Sequence, residues 1–529
     1  MTPYLTELIV IVAYFSCIIG ISFIISKKNK TTDAHEFLSG KKSTNWFRAG
    51  MAAVGVSSDG MLALAGISFL FGFHLQWNAI TFLIAAPFAA MFFMPVYWHS
   101  GIVTLPDYLE KRFNTASRTL FSIIMTICMI VSLSLPLYFG ALLLNHLFNW
   151  NLYADAIMLV LIAIIYVSLG GMKTVIRINV FQSIFMLTLF VLMAAISLYV
   201  IGGLKGMINI NIISLNEHKM PSTLPAFDWR IDSDKFFPLP AVLFWSPILC
   251  IAWISTSYQT IQRMLTTRTL KDAQKGIYLF GILNIFTCII AYIVGIAAKK
   301  LLPNVAPDNA YLTMILTYCP TFLKGLMLAA ILAALVSAID GSLTASSSLF
   351  MEDIFLKYIS PKANNKRIIF ITRIFQFCVV ILALLVFSVI LKQRSAMEFI
   401  QKFISFVLAV IIALFLTGIF SRRTTSRAAL IGGIFGILLS TIAFFTFKIN
   451  FAYTCLFVFL STSLMIILLS FFETPQNEEQ LKNLTIFTIP GVKGPFAGHH
   501  SWPGLWKWTL IIILIWVAFI YSWEVFIIK

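Results

Sequence analysis

Two carboxylates sit inside long apolar stretches. Asp59 lies in Gly55-Val56-Ser57-Ser58-Asp59-Gly60. Asp340 lies in Ala333-Ala334-Leu335-Val336-Ser337-Ala338-Ile339-Asp340-Gly341-Ser342, with Thr344 and Ser346-Ser347-Ser348 beyond it. A carboxylate at the centre of a bilayer costs at least about 2.5 kcal/mol, so one retained there marks an ion or substrate path. On a helix Ala334, Ser337, Ala338 and Gly341 share one face, with Asp340 beside Ser337. Two chemistries fit that face. Small residues and hydroxyls let a neighbouring helix approach and bond across the gap; alternatively, the oxygens ligate a hard cation. An isolated buried carboxylate takes up a proton, so an ionised Asp340 requires a bound cation or a proton exchanged during a cycle. Glu398 is an intermediate case near a span end, whereas Glu7, Asp155 and Glu524 sit in terminal turns that reach the interface.

The elements holding these groups must be membrane helices. Of 529 residues, 60% are hydrophobic and 11% charged, and mean hydropathy is +0.92. A soluble domain carries about 25% charged residues. Net charge is +17, with the cations in short runs between apolar stretches, as in topology-setting loops, so nucleic acid is not an expected partner. The seven cysteines form no CxxC and read as small buried hydrophobes; no metal cluster is expected around the scattered histidines.

A spanning helix needs about 20 predominantly apolar residues. Fourteen stretches qualify: 5–26, 49–71, 79–98, 119–146, 154–171, 178–203, 238–262, 276–298, 323–350, 368–391, 396–420, 428–447, 451–471 and 506–527. The loops after the odd-numbered spans carry most of the loop cations, among them Lys27, Lys28, Arg112, Arg118, Arg268, Lys366, Arg422 and Arg427. That excess puts those loops in the cytoplasm and both termini outside, in a multi-pass protein of the cell (inner) membrane.

Two spans are interrupted. The second holds Gly55 to Gly60, and the seventh holds Pro240, Ser246-Pro247 and Ser255-Thr256-Ser257-Tyr258-Gln259. Freed backbone groups at membrane depth are tolerated only beside protein or a water-filled cavity. Kinks in a packed bundle explain one such helix. A pair opening two successive blocks of five spans points to an inverted-repeat transporter with its site at the midplane. The expected division is 1–48, first helix and cytoplasmic loop; 49–203, core repeat 1; 204–237, extracellular loop; 238–421, core repeat 2; and 422–529, three C-terminal helices with a cytoplasmic loop at 472–505.

At these residues the chain resembles the sodium/solute symporter family, and is nearest in look to its fourteen-helix bacterial sodium/galactose type. The matching pieces are Glu36-Phe37-Leu38-Ser39-Gly40, Leu105-Pro106-Asp107-Tyr108-Leu109-Glu110-Lys111-Arg112-Phe113, Gly170-Gly171-Met172-Lys173-Thr174-Val175, Gln262-Arg263, and Leu328-Ala329-Ala330 through Asp353-Ile354. They run in the family's order over about residues 5–420. The resemblance implies an all-α, leucine-transporter-like core of 5+5 inverted repeats, with one helix before it and three after.

By resemblance, sodium would be held by the carbonyls of Ala53, Val56 and Ala334 and by the Ser337 hydroxyl. Ala338 stands where the family has a second hydroxyl. A second ion site of some members has an Asp where this chain has Asn179 and a serine where it has Asp340, as if the carboxylate had moved between helices. The resemblance carries substrate contacts to Gln76, Asn78, Asn284 and Glu398, with Asp59 as a further substrate candidate; Gly60 and Cys250 stand at two further sugar-contact positions. Trp253 stands where the family has an inner aromatic gate, and it also reads as a packing aromatic.

The expectation is therefore a secondary active symporter importing a small polar solute (sugar, amino acid or carboxylate) on a sodium gradient, with proton coupling as the alternative and no bound cofactor. A polytopic enzyme or a channel is the rival class, but the chain carries no HExxH, GxSxG or P-loop motif.

Overall fold

The computed structural model describes residues 5–28, 42–56, 60–71, 76–102, 104–168, 172–203, 205–207, 244–393, 396–447, 450–489, 507, 510, 511 and 514. The Asp59 position, most of the loop 204–237 and most of the expected last span lie outside the described residues.

The chain is all helical among these residues. α1 is Leu5–Lys28, α2 Trp46–Val56, α3 Gly60–Phe71, α4 Gln76–Phe88, α5 Met94–His99 and α6 Leu105–Arg112. Then come α7 Thr115–Phe148, α8 Leu152–Ser168, α9 Met172–Ile201, α10 Ser246–Thr256, α11 Tyr258–Leu265 and α12 Leu270–Leu301. The remainder are α13 Ala310–Tyr318, α14 Thr321–Phe350, α15 Asn365–Ile390, α16 Ala396–Phe420, α17 Ser426–Thr446 and α18 Phe451–Phe471. Among the described residues nine helices are long and apolar enough to cross a membrane, or up to ten when α2 and α3, which meet at 57°, count as one span. Three shorter apolar helices, Leu5–Ile18, Leu152–Ile162 and Ser246–Thr256, fall within further expected stretches.

Local chemistry sets the ends of these helices. Side chains of Asn114, Thr269, Asn364 and Thr425 accept from backbone amides in the first turns of α7, α12, α15 and α17, satisfying donors that have no partner within the helix. Pro87 removes one amide from α4, and a π-helical turn at Ala89–Phe93 follows before α5.

Packing sorts the helices into two groups. α12 lies against α2, α3 and α4, and α4 also packs on α10; α7 lies against α8, α14 and α15. α9 bridges α2 and α14, while α16 bridges α7 and α10. Thus each broken helix packs on the second helix of the other five-helix block, α2 and α3 on α12 and α10 on α4, while the third helices, α7 and α14, pack on each other and on the fourth, α8 and α15. Gly295 shows how close the first group is: a Cβ there would stand 2.2 Å from the Ala65 carbonyl oxygen. The outer faces of α15, α17 and α18 expose Phe377, Leu385, Phe445 and Leu464, consistent with lipid as their solvent.

At one end α6 ties the molecule together. Arg112 is buried and donates to Gly418 O (2.9 Å), Ser421 O (2.8 Å) and Gln476 Oε1 (2.5 Å). Beside it Arg118 pairs with Asp107 (2.7 Å), Glu110 (2.6 Å) and Asp353, and Lys357 also pairs with Glu110. Burial pushes the Glu110 carboxyl up, but its bonds to Lys357, Arg118 and Thr115 outweigh that and hold it at about 2.

Candidate functional site

The seventh span breaks at Ser257. Its backbone is extended there (φ −66°, ψ 114°), ending α10, and its side chain accepts from Thr260 N to start α11. The break frees carbonyls, and one of them, Ser255 O, accepts from the buried Tyr97 hydroxyl at 3.0 Å. The polar run Ser255 to Gln259, read from the sequence as an interruption, is therefore a true one, with its backbone satisfied by protein.

Two cavities flank the break. One of about 170 Å³ is lined in part by Gly60, Asn284, Thr287, Gln401 and Ser405. The other, about 70 Å³, is lined in part by Ala53, Ser257, Gln259, Arg263, Ala338 and Ser342. Trp253, Ser132 and Ile404 line both. The larger cavity is mostly apolar, and its lining among the described residues carries no ionisable side chain apart from the thiols of Cys250 and Cys288. Cys250 Sγ lies 2.8 Å from Thr81 Oγ1.

The expected cation residues lie on α2, α9 and α14, three helices that pack on one another. Asp340 and Ser337 on α14 and Asn179 on α9 are all fully buried. Asp340 Oδ1 accepts from Thr344 Oγ1 (3.2 Å). Asp340 Oδ2, Ser337 Oγ and both Asn179 side-chain polar atoms have no hydrogen-bond partner among the described residues. Buried polar atoms are ordinarily satisfied, and the unpartnered oxygens of Asp340, Ser337 and Asn179 are of the kind a hard cation uses. Gly55 permits the close approach of α2: a Cβ there would stand 2.5 Å from Ser183 Oγ, which itself lies 2.8 Å from Met51 O. Ala53 and Ala334 are buried on the facing helices, and Val56 is the last residue of α2.

The substrate candidates are distributed differently. Trp253 and Asn284 line the larger cavity, although Asn284 Nδ2 is already donated to Phe280 O at 2.8 Å. Glu398 lines neither cavity; it is partly exposed and pairs with Lys402 at 2.7 Å, four residues on along α16. Asp59 and the side chains of Gln76 and Asn78 lie outside the described residues. Sequence reasoning missed Thr287, Gln401 and Ser405 at the larger cavity and Gln259, Arg263 and Ser342 at the smaller. Arg263 entered only as half of the Gln262-Arg263 match. A buried arginine near a broken helix was the available signal.

Comparison with known proteins bears on this arrangement. The profile of the sodium:solute symporter family matches residues 37–436. The chain is 26% identical over 518 residues to a sodium/glucose cotransporter of Vibrio parahaemolyticus, covering 91% of this chain and 92% of that one. It is 24% identical over 533 residues to sodium/myo-inositol cotransporter 2 of Mus musculus, covering 91% and 79%. Among solved structures it superposes on a sodium-coupled sialic acid symporter with a TM-score of 0.77 at 19% identity, covering 89% of this chain and 99% of that one. The nucleobase-cation-symport-1 transporter Mhp1 follows at 0.57 and 13%, covering 84% and 97%. Both share the fold.

Proposed function

This chain belongs to the sodium:solute symporter family, a multi-pass membrane transporter that couples solute movement to sodium, and from that premise we propose that its solute is a small, neutral, polyhydroxylated molecule of the sugar or cyclitol class. The larger cavity carries this reading. Asn284, Thr287, Gln401 and Ser405 offer neutral hydrogen-bonding groups, whereas a carboxylate or amino acid would call for a fixed counter-charge. The relatives' names, glucose and myo-inositol, agree with it.

In this reading sodium sits among Ala53 O, Val56 O, Ala334 O, Ser337 Oγ and Asp340, with Asn179 beside it. Asp340 supplies the charge that Asn179 lacks. Trp253 divides the outer cavity from the inner one, and the two broken helices with their partners rock about the midplane. Sodium biases that motion only through unequal affinity for the outward- and inward-facing states. Repeat 1 occupies 49–203 and repeat 2 occupies 238–421, within fourteen spans. Uptake into proteoliposomes of a panel of sugars, cyclitols, amino acids and carboxylates, with sodium present or replaced by potassium at two pH values, tests this. A neutral polyol accumulated only with sodium is expected. Accumulation of a carboxylate alone, or acid-driven accumulation without sodium, overturns it.

Orientation follows from the loop charges: α6 and its ion pairs face the cytoplasm of a cell whose inner membrane holds the protein, and both termini are outside. Reporters fused after Arg118 and Arg427 are expected to score cytoplasmic and one after Lys529 external. A cytoplasmic score at Lys529 removes the fourteen-span topology.

A further inference from the structure

We propose that Arg263 is a tethered cation that occupies Asp340 whenever sodium does not. The inference rests on the reading of Asp340 as the coupling carboxylate, and adds the group that sodium must displace.

Asp340 is fully buried on α14, and Thr344 is its one hydrogen-bond partner among the described residues. A buried carboxylate needs a counter-charge. Arg263, 2% exposed, lies on α11 within electrostatic reach of that carboxylate. The two helices meet there. Gln259, one turn before Arg263, donates to Ser342 Oγ at 3.1 Å, and Ser342 is two residues beyond Asp340. Arg263 Nη1 donates to Gln259 O at 2.7 Å, which aims the guanidinium along this contact. Both Arg263 and the residues flanking Asp340, Ala338 and Ser342, line the smaller cavity.

The pair also joins two separate elements. α11 is the detached half of the broken seventh span, linked to α10 through extended Ser257, whereas α14 is one continuous helix. Sodium and the guanidinium satisfy the same charge, so binding of one opposes binding of the other. With Arg263 at Asp340 the empty carrier crosses without a bare buried charge. With sodium at Asp340 the arginine is released, and with it one restraint on α11.

The test measures binding of radioactive sodium alone to the purified full-length protein in lipid nanodiscs, for the parent, Arg263→Gln, Arg263→Lys, Asp340→Asn and the Arg263→Gln/Asp340→Asn double variant. Removing a tethered competitor should lower the half-saturating sodium concentration about tenfold in Arg263→Gln, within the usual range of coupling between sites. Arg263→Lys, with a shorter, single-headed donor, should fall between parent and Gln. Asp340→Asn should weaken binding, and adding Arg263→Gln to it should change nothing further. If Asp340→Asn weakens sodium binding but Arg263→Gln leaves it unchanged or weaker, Arg263 only braces α11 and the proposal fails while the Asp340 reading survives. If Asp340→Asn binds sodium normally, the Asp340 reading itself fails. Should Arg263→Gln not fold, a Lys variant that binds sodium no tighter than the parent overturns the proposal.

Discussion

Asp340→Asn will reach the membrane folded and yet lose sodium-driven accumulation, with the solute ratio falling to passive equilibration while exchange across the membrane persists. The side chain is fully buried and Asn keeps its size and its bond to Thr344, so the change removes charge and little else. On the proposed reading that charge acts with the unpartnered side-chain atoms of Ser337 and Asn179 to hold the cation. Ala338 offers no side-chain oxygen, so neutralising Asp340 leaves neutral ligands only, and sodium then gains too little on binding to bias one state over the other. The measurement is uptake against a gradient beside counterflow in the same vesicles. Asp59→Asn is the comparison, since the sequence reads it as a solute candidate: it should change the apparent affinity for solute and leave the sodium dependence as in the parent. Normal accumulation by Asp340→Asn would make the carboxylate structural.

Arg112→Lys should lower stability by about 3 kcal/mol or more. Arg112 satisfies Gly418 O, Ser421 O and Gln476 Oε1 from within a nearly closed site, and hydrogen bonds to a charged donor contribute about 1.5–3 kcal/mol each. A lysine ammonium is a compact point charge that cannot span three acceptors, so at least one buried carbonyl loses its partner. The melting midpoint of detergent-purified protein is the readout. An unchanged midpoint would show that water replaces the guanidinium at no loss. The same substitution should leave sodium affinity untouched in the fraction that folds, because α6 lies outside the cation cluster.

Much of the architecture was legible because it is local. Apolar length defines a span, and the runs Gly55 to Gly60 and Ser255 to Gln259 interrupt theirs because polar side chains and glycine free the backbone wherever they stand. The break at Ser257 needed no partner to be anticipated. Asp340 was legible too, since a carboxylate in an apolar helix is anomalous in any surroundings. The Glu398–Lys402 pair is four residues apart on one helix, so its spacing already argued for a salt bridge; the resemblance to a sugar contact drew attention away from it.

What the sequence by itself determined is therefore the all-helical membrane class, the break at Ser257 and the presence of a buried charge. Only the tertiary structure decided what each charge faces. Arg112 and Gly418 are 306 residues apart, and nothing in either segment names the other. Arg263 lies in the last turn of a short amphipathic helix, and only the packing of α11 on α14 brings it to the cavity that Ala338 and Ser342 also line. The reason is physical: hydrogen bonding and hydropathy within one helix depend on neighbours three or four residues away, whereas the choice of which helical faces meet depends on small residues such as Gly55 and Gly295, where a Cβ would stand 2.5 Å from Ser183 Oγ and 2.2 Å from Ala65 O.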